Sequence, residues 1–68
     1  MTSKQKRIYD HIVSHWRQHG QTPTYRGMRD RLSISIGNVH AIVARLKSSG
    51  YLADGEWGVI PVFRRIVP

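Results

Sequence analysis

Apolar residues recur at helical spacing in three stretches of the chain, and each stretch predicts a helix. The first begins with Thr2 and Gln5, the two residues of a capping box, and Gly20 is a typical stop signal behind it. The pattern therefore predicts a helix over residues 3–19. The face that we expect to be buried carries Ile8, Ile12 and Trp16.

A second, short helix is expected after the connection Gln21-Thr22-Pro23. Thr24 is a suitable N-cap, because its hydroxyl can accept a bond from an otherwise unpaired backbone amide. The helix is expected to end at Leu32, with Met28 four residues earlier on the same inner face. Ser33-Ile34 then supplies a tight turn.

The third stretch has the most regular apolar pattern in the chain. Ser35 is its expected N-cap, Gly50 its stop signal, and the helix covers about residues 36–48. Its apolar positions follow the spacing i, i+3, i+4 and i+7 and are Val39, Ile42, Val43 and Leu46. A stripe of this kind predicts an amphipathic helix with one buried and one exposed face.

Behind the third helix the pattern becomes typical of β-structure. Tyr51-Leu52 begins a strand, and the β-branched and aromatic segment Val62–Val67 is expected to return. The turn and loop residues between them are Asp54-Gly55, Gly58 and Pro61. Three helices and a C-terminal hairpin predict a mainly α fold, the winged helix-turn-helix, as one domain over residues 1–68.

Charge and composition exclude several classes of function. Eleven Lys and Arg against 4 Asp and Glu give the 68-residue chain a formal charge of +7, which favours a polyanionic partner. The chain has no Cys, so a disulfide-rich secreted protein is excluded and the cytoplasm is the expected compartment. No apolar run reaches the roughly 20 residues of a membrane span. Without a nucleophile–base pair or a glycine-rich phosphate loop, we expect neither an enzyme nor a cofactor.

The outward face of the third helix has an unusual composition. Its centre carries the small residues Gly37, Ala41, Ala44 and Ser48, and its edges carry Asn38, His40, Arg45 and Lys47. Such a face suits a DNA major groove about 12 Å wide, where bulky side chains would hold the helix off the bases. Asn38 can then bond adenine, and Arg45 guanine or a phosphate. The alternative is that the small residues reflect tight packing against a neighbouring element.

Basic and polar side chains elsewhere are candidates for phosphate contacts. In a helix-turn-helix protein, the start of the second helix and the wing approach the backbone on either side of the groove. The expected phosphate contacts are Thr24, Tyr25, Arg26, Lys47, Arg64 and Arg65. A solvated basic surface would show the same residues.

Five segments of the chain together point to a known family: Thr2-Ser3-Lys4-Gln5, Ile8-Tyr9-Asp10-His11-Ile12, Gly20-Gln21-Thr22-Pro23-Thr24, Leu32-Ser33-Ile34-Ser35-Ile36-Gly37-Asn38-Val39-His40 and Leu46-Lys47-Ser48-Ser49-Gly50-Tyr51-Leu52. With these segments the chain resembles, over nearly its whole length, the DNA-binding domain of the LexA repressor and its phage-borne winged-helix relatives. The resemblance implies a repressor that occupies a promoter, here as a stand-alone regulator of a phage or mobile element.

The resemblance also implies which residues read bases. They lie at the start of the third helix, at Ser35, Gly37, Asn38, His40 and Ala41, and the wing contact falls on Arg64 with Ile66 two residues later. LexA carries acidic residues at the positions of His40 and Ala41, so its operator does not carry over. Nothing here corresponds to the self-cleaving protease domain of LexA, so autocleavage is not expected.

Two features allow other interpretations. His11, His15 and His19 lie four residues apart on one helix face, a spacing that can bind Zn²⁺ or Ni²⁺. Because no Cys or carboxylate completes the set, we predict no metal site. Trp57, in the hairpin loop, can contact DNA, fold back on the core or anchor a protein partner. The alternative function is therefore a small protein-interaction module, such as a phage factor that binds host machinery through the wing around Trp57.

The expected assembly follows from the same patterns. The apolar faces of the three helices are used in one core, and the charge of +7 repels a second copy. We therefore expect a monomer in solution that pairs on adjacent half-sites of double-stranded DNA.

Overall fold

The computed structural model describes residues 2–56 and 58–62. These residues form three helices followed by a two-stranded antiparallel sheet: α1 (Ser3–His19), α2 (Tyr25–Leu32), α3 (Ile36–Ser48), β1 (Leu52–Gly55) and β2 (Gly58–Pro61). The predicted winged helix-turn-helix, mainly α with a small hairpin, is confirmed. None of the helices in this part of the chain has the length and apolar character that crossing a membrane requires.

Each helix begins at the cap residue that the sequence predicts. At α1 the capping box is complete: Thr2 Oγ1 accepts the amide of Gln5 at 3.2 Å, and Gln5 Oε1 accepts the amide of Thr2 at 3.1 Å. The hydroxyls of Thr24 and Ser35 accept the amide three residues later, at 2.9 and 3.3 Å. Each bond satisfies a donor that the helix leaves unpaired, so local sequence sets all three helix starts.

A tight turn joins α2 to α3. Ser33 has a φ of 54°, in the left-handed region that ends many helices but that L side chains rarely adopt. The amide of Ile34 donates to the carbonyl of Arg29 at 3.3 Å and closes the last turn of α2. Only residues 33–35 separate the two helices, which makes them the expected helix-turn-helix pair.

All five elements contribute to one core. Its members are almost completely buried, each 5% exposed or less: Ile8, Ile12, Met28, Val39, Val43, Leu46, Leu52 and Val59. The predicted inner faces of the three helices therefore meet, with one correction. Trp16 is only partly buried, because one side of it lines an open groove of about 500 Å³ that Gly55 and Ile60 of the hairpin also line.

The hairpin differs from the prediction in its register. Leu52 pairs with Pro61 and Gly55 with Gly58, so the connection occupies only positions 56 and 57. Asp54-Gly55 therefore belongs to β1 and Pro61 to β2, rather than to a turn and a loop.

The returning strand accordingly begins at Gly58 and not at Val62. The physical reason is burial: this register places Leu52, Val59 and Pro61 on the face that covers the core. Val62 follows the strand and donates its amide to the carbonyl of Tyr51 at 2.9 Å. Residues 63–67 of the predicted strand lie outside the described residues.

Two contacts tie later parts of the chain to α1, and a third ties the connection after α1 to the hairpin. The guanidinium of Arg7 donates to the carbonyl of Leu32 at 3.4 Å, at the end of α2. The Tyr9 ring meets the Tyr51 ring edge to face, with centroids 5.7 Å apart. The hydroxyl of Thr22, in the connection after α1, donates to the carbonyl of Val59 in β2. The helix pair and the wing thus share one support.

Replacement of Gly55 by alanine tests the hairpin packing. A Cβ at this position would lie 2.6 Å from Cγ2 of Ile60 and 2.9 Å from the carbonyl oxygen of Gly58. Because that carbonyl belongs to the paired strand, we expect Gly55→Ala to lower the free energy of unfolding by about 1–3 kcal/mol. Urea denaturation followed by circular dichroism measures this change.

Gly37→Ala is the matched control. A Cβ there meets nothing within 4 Å, and the position is an exposed part of α3. Alanine should therefore raise the free energy of unfolding by about 0.5–1 kcal/mol through its helix propensity. Equal effects of the two substitutions would contradict the packing of the hairpin.

Candidate nucleic-acid interface

The face of α3 opposite the core is open to solvent. Its small central residues Gly37, Ala41, Ala44 and Ser48 are all exposed, as are Asn38, His40, Arg45 and Lys47 at its edges. A Cβ built on Gly37 finds no neighbour within 4 Å. Tight packing against another element therefore does not explain these small residues. The face is shallow at its centre and carries hydrogen-bonding groups at its margins.

Two of the predicted DNA-contacting residues, Ser35 and Thr24, also act as helix N-caps. Ser35 Oγ accepts the amide of Asn38, and Thr24 Oγ1 accepts the amide of Gly27. Each hydroxyl still has its own hydrogen to donate, since accepting a bond does not use it. Ser35 and Thr24 are both exposed, at the starts of α3 and α2. The structure thus leaves both available to an acceptor such as a base or a phosphate.

A ring contact joins α2 to the exposed face of α3. Tyr25, the first residue of α2, meets the ring of His40 edge to face, with centroids 4.4 Å apart. From the sequence, Tyr25 is an expected phosphate contact and His40 an expected base contact, and no contact between the two is predicted. Neither residue belongs to the apolar pattern, so no sequence signal reveals the pair. The contact fixes the start of α2 beside the middle of α3.

Most acidic side chains are paired locally, away from the middle of this face. The described ion pairs are Lys6–Asp10 at 3.3 Å, Arg29–Asp30 at 2.9 Å and Lys47–Asp54 at 2.6 Å. The sequence of α3 contains no Asp or Glu. Arg26 and Arg45 are exposed, and neither forms an ion pair with a residue that the structure describes. Positive charge is therefore left uncompensated on the α2–α3 side.

Lys47 has a partner that the sequence did not indicate. Its ammonium lies 2.6 Å from Oδ1 of Asp54, which connects the last turn of α3 to β1. The hydrogen bond with this carboxylate raises the pKa of Lys47. A phosphate that approached Lys47 would have to compete with Asp54 for the same ammonium.

The predicted contacts of the outer wing fall on residues outside the described part of the chain. Arg64, Arg65 and Ile66 lie outside the described residues, as does Trp57, on which the protein-interaction alternative rests. The described part of the wing carries Asp54 and Glu56, both exposed.

The histidines of α1 line a groove beside the start of α2. The ring centroids of His11 and His15 are 6.3 Å apart, and those of His15 and His19 are 4.5 Å apart. The groove, of about 600 Å³, also includes Arg31. Burial, followed by the neighbouring His15 and Arg31, lowers the pKa of His11. Nδ1 of His15 donates to the carbonyl of Gln21 at 2.8 Å, which ties the end of α1 to the next connection.

Metal binding by this row finds no geometric support. Over residues 2–56 and 58–62, no three or more His, Asp or Glu side chains are grouped so that they can hold a metal ion.

Sequence reasoning missed Ile36. Its spacing of three residues from Val39 and seven from Val43 favours the buried face, yet it is 37% exposed. Ile36 is the first residue of α3, so its side chain lies at the margin of the core, with no earlier turn of the helix beside it. It is the one large hydrophobic side chain recorded as exposed in the described part of the protein.

The chain matches no protein-family model, and no curated protein matches its sequence significantly. The functional interpretation of this surface therefore depends on its geometry and charge.

Asp54→Asn tests the pair between α3 and the wing. Loss of the carboxylate should move the pKa of Lys47 down toward the ordinary lysine value, and NMR titration of the lysine side chains in the alkaline range measures it. Because folding raises this pKa, the stabilisation from the pair is present below the ordinary lysine pKa and is lost as the pH rises through the folded-state pKa. Asp30→Asn, whose partner is Arg29, is the control and should leave Lys47 unchanged. An unaltered Lys47 in Asp54→Asn would contradict the pairing.

Proposed function

We propose that the protein is a sequence-specific double-stranded DNA-binding protein that represses transcription by occupying a promoter. In this proposal α3 lies in the major groove, and the wing lies on the backbone. The observation that carries it is the exposed face of α3, small along its centre, with Asn38, His40 and Arg45 at its edges and no acidic residue in the helix.

The shape of this face suits a groove. An α-helix with its side chains is about 10–12 Å across and the major groove is about 12 Å wide, so short side chains along the centre let the helix backbone lie close to the bases. Asn38 then presents a donor and an acceptor to adenine, and Arg45 presents paired donors to guanine or a phosphate. Both side chains are exposed and free to make these bonds.

The start of α2 supplies the backbone contacts. The Tyr25–His40 ring contact holds this helix end close to α3, so seating α3 in the groove brings Thr24, Tyr25 and Arg26 toward a flanking phosphate. Arg26 has no ion-pair partner among the described residues and retains its charge for that contact. The formal charge of +7 supplies long-range attraction to the duplex.

The resemblance to the DNA-binding domain of LexA and its phage-borne relatives supports the same proposal. It assigns base reading to the start of the third helix, the end of α3 where Ser35, Gly37 and Asn38 are exposed. The resemblance also favours a regulator of phage or mobile-element type that acts in the cytoplasm of a bacterial or phage-infected cell.

We further propose that the protein is a monomer that binds in pairs. Its described core is a single cluster, and Ile36 is the one large apolar side chain recorded as exposed there, which is too little for a dimer interface. A single module buries only about 600–1,000 Å² on DNA, so strong selectivity favours two copies on half-sites about 10–10.5 bp apart.

DNA affinity should decrease steeply with salt. If about six phosphates are contacted, the plot of log K against log salt concentration has a slope near −5, at about −0.9 per phosphate. Fluorescence anisotropy with a labelled duplex measures the slope. Arg26→Ala should reduce it by about one unit, whereas Arg29→Ala should change it less, because Asp30 already pairs with that arginine. Binding that does not change with salt would contradict the proposal.

Substitutions should distinguish the residues that read bases from those that contact the DNA backbone. Asn38→Ala and Arg45→Ala should each cost about 1–3 kcal/mol on the preferred site and relax the preference at one base pair. Arg26→Ala should weaken binding to all duplexes alike. Binding of each variant to duplexes selected from a random pool, and to their single-base variants, measures both effects. Loss of preference with Arg26→Ala but not with Asn38→Ala would show that α3 is not the reading helix.

A further inference from the structure

A groove between α1 and α2 collects basic side chains without an acid. It has a volume of about 600 Å³ and is lined by three histidines of α1, His11, His15 and His19, and by Arg31 of α2. The other described residues that line it are uncharged, and none of them belongs to α3. An anion that enters this groove therefore meets only cationic or neutral groups.

The histidine rings lie close enough to influence one another's protonation. The ring centroids of His11 and His15 are 6.3 Å apart, and those of His15 and His19 are 4.5 Å apart. Imidazole changes its charge near neutral pH, and like charges at such distances repel each other. The row therefore carries several positive charges at a lower cost when a negative charge lies beside it.

His11 shows that the groove disfavours added positive charge when it is empty. Burial lowers the pKa of His11, and the neighbouring His15 and Arg31 lower it further. A bound anion reverses the balance, because it attracts the charged imidazole more than the neutral one. Binding of an anion and protonation of the ring therefore favour each other.

The acidic residues of the surrounding elements do not neutralise this groove. Asp10 of α1 and Asp30 of α2 each form an ion pair with a basic neighbour, and neither lines the groove. Glu56 of the hairpin lines a different groove, and the connection over residues 20–24 has no charged side chain. The position of countercharge is thus left to a ligand.

Arg31 and the histidines have the chemistry of a phosphate site. The guanidinium of Arg31 is always charged, forms no ion pair with a residue that the structure describes, and can present paired donors to phosphate oxygens. Nδ1 of His15 donates to the carbonyl of Gln21 at 2.8 Å, so a proton that this ring gains goes to Nε2 and makes it a further donor. Charge and hydrogen-bond donors increase together as the row is protonated.

We propose that this groove binds a phosphate group through Arg31 and the histidine row, and that a proton is taken up from solvent when it does so. The inference does not rest on the proposed function, because no residue of α3 lines the groove. Inorganic phosphate and the backbone of a nucleic acid share this chemistry. Thr24, an expected backbone contact, also lines the groove, so a duplex is one of the two ligands to test.

NMR titration of the histidine ring protons tests the proposal. The titration in sodium phosphate is compared with that in sodium chloride at the same ionic strength. We expect phosphate to raise the pKa of His11 by about half a unit, which corresponds to about 3-fold tighter phosphate binding by the form protonated at His11. The signals of His40, on α3 and outside the groove, should titrate alike in the two salts and serve as the internal reference.

Two charge-matched variants assign the effect to the groove. Arg31→Gln should abolish the difference between the two salts at His11, whereas Arg29→Gln removes the same charge from the same helix outside the groove and should preserve it. In chloride, Arg31→Gln should by itself raise the pKa of His11, because Arg31 lowers it in the wild type. His19→Gln, at the exposed end of α1, is a second variant that should reduce the phosphate effect. Circular dichroism checks that each variant is folded.

A short duplex in place of inorganic phosphate identifies the source of the ligand. A rise in the pKa of His11 that Arg31→Gln abolishes would assign the groove to a backbone phosphate, and an effect of inorganic phosphate alone would assign it to the free anion. An unchanged His11 with both ligands, or equal responses of Arg31→Gln and Arg29→Gln, would overturn the inference. If phosphate acts at His11 but the protein binds no duplex, only the proposed function fails.

Discussion

The packing of the apolar stripe of α3 into the shared core is the constraint on which the rest of the structure depends. Val39, Val43 and Leu46 are almost fully buried and meet side chains from α1, α2 and the hairpin. A chain of this length buries only about 60% of its unfolded surface, so it has room for one core. With one side of α3 committed to that core, the opposite side faces solvent. The same residues that stabilise the domain thereby orient the face that we propose to read DNA.

The distribution of surface charge depends on ion pairs between acidic side chains and nearby cations. Exposed ion pairs such as Lys6–Asp10 contribute little to folding stability, and their greater effect is on the surface potential. By engaging acids next to their own cations, they leave Arg26 and Arg45 near the α2–α3 face without an ion pair to a described residue. The Lys47–Asp54 pair differs because it joins the last turn of α3 to the wing. It is therefore the place where wing position and phosphate binding would be coupled.

The proposed interface combines two kinds of contact that the fold brings together. In the proposed complex, caps and basic side chains at the start of α2 would face the backbone, and the polar edges of α3 would face the bases. The Tyr25–His40 contact connects the two, since it ties the start of α2 directly to α3. Backbone contacts would thus position the reading helix rather than act independently of it.

The sequence by itself determined the helices, their caps and the inner face of α3, because helical periodicity and the pairing of end groups are local requirements. It also indicated the exposed small-residue face, which is the complement of the apolar stripe. It did not determine the hairpin register, the partial exposure of Trp16 or the exposure of Ile36. These depend on which element lies opposite: strand register follows the buried face of Leu52 and Val59, and a residue at a helix end is buried only where a neighbour reaches it. The Tyr25–His40 and Lys47–Asp54 contacts likewise join residues of different elements, so only the tertiary structure decides them.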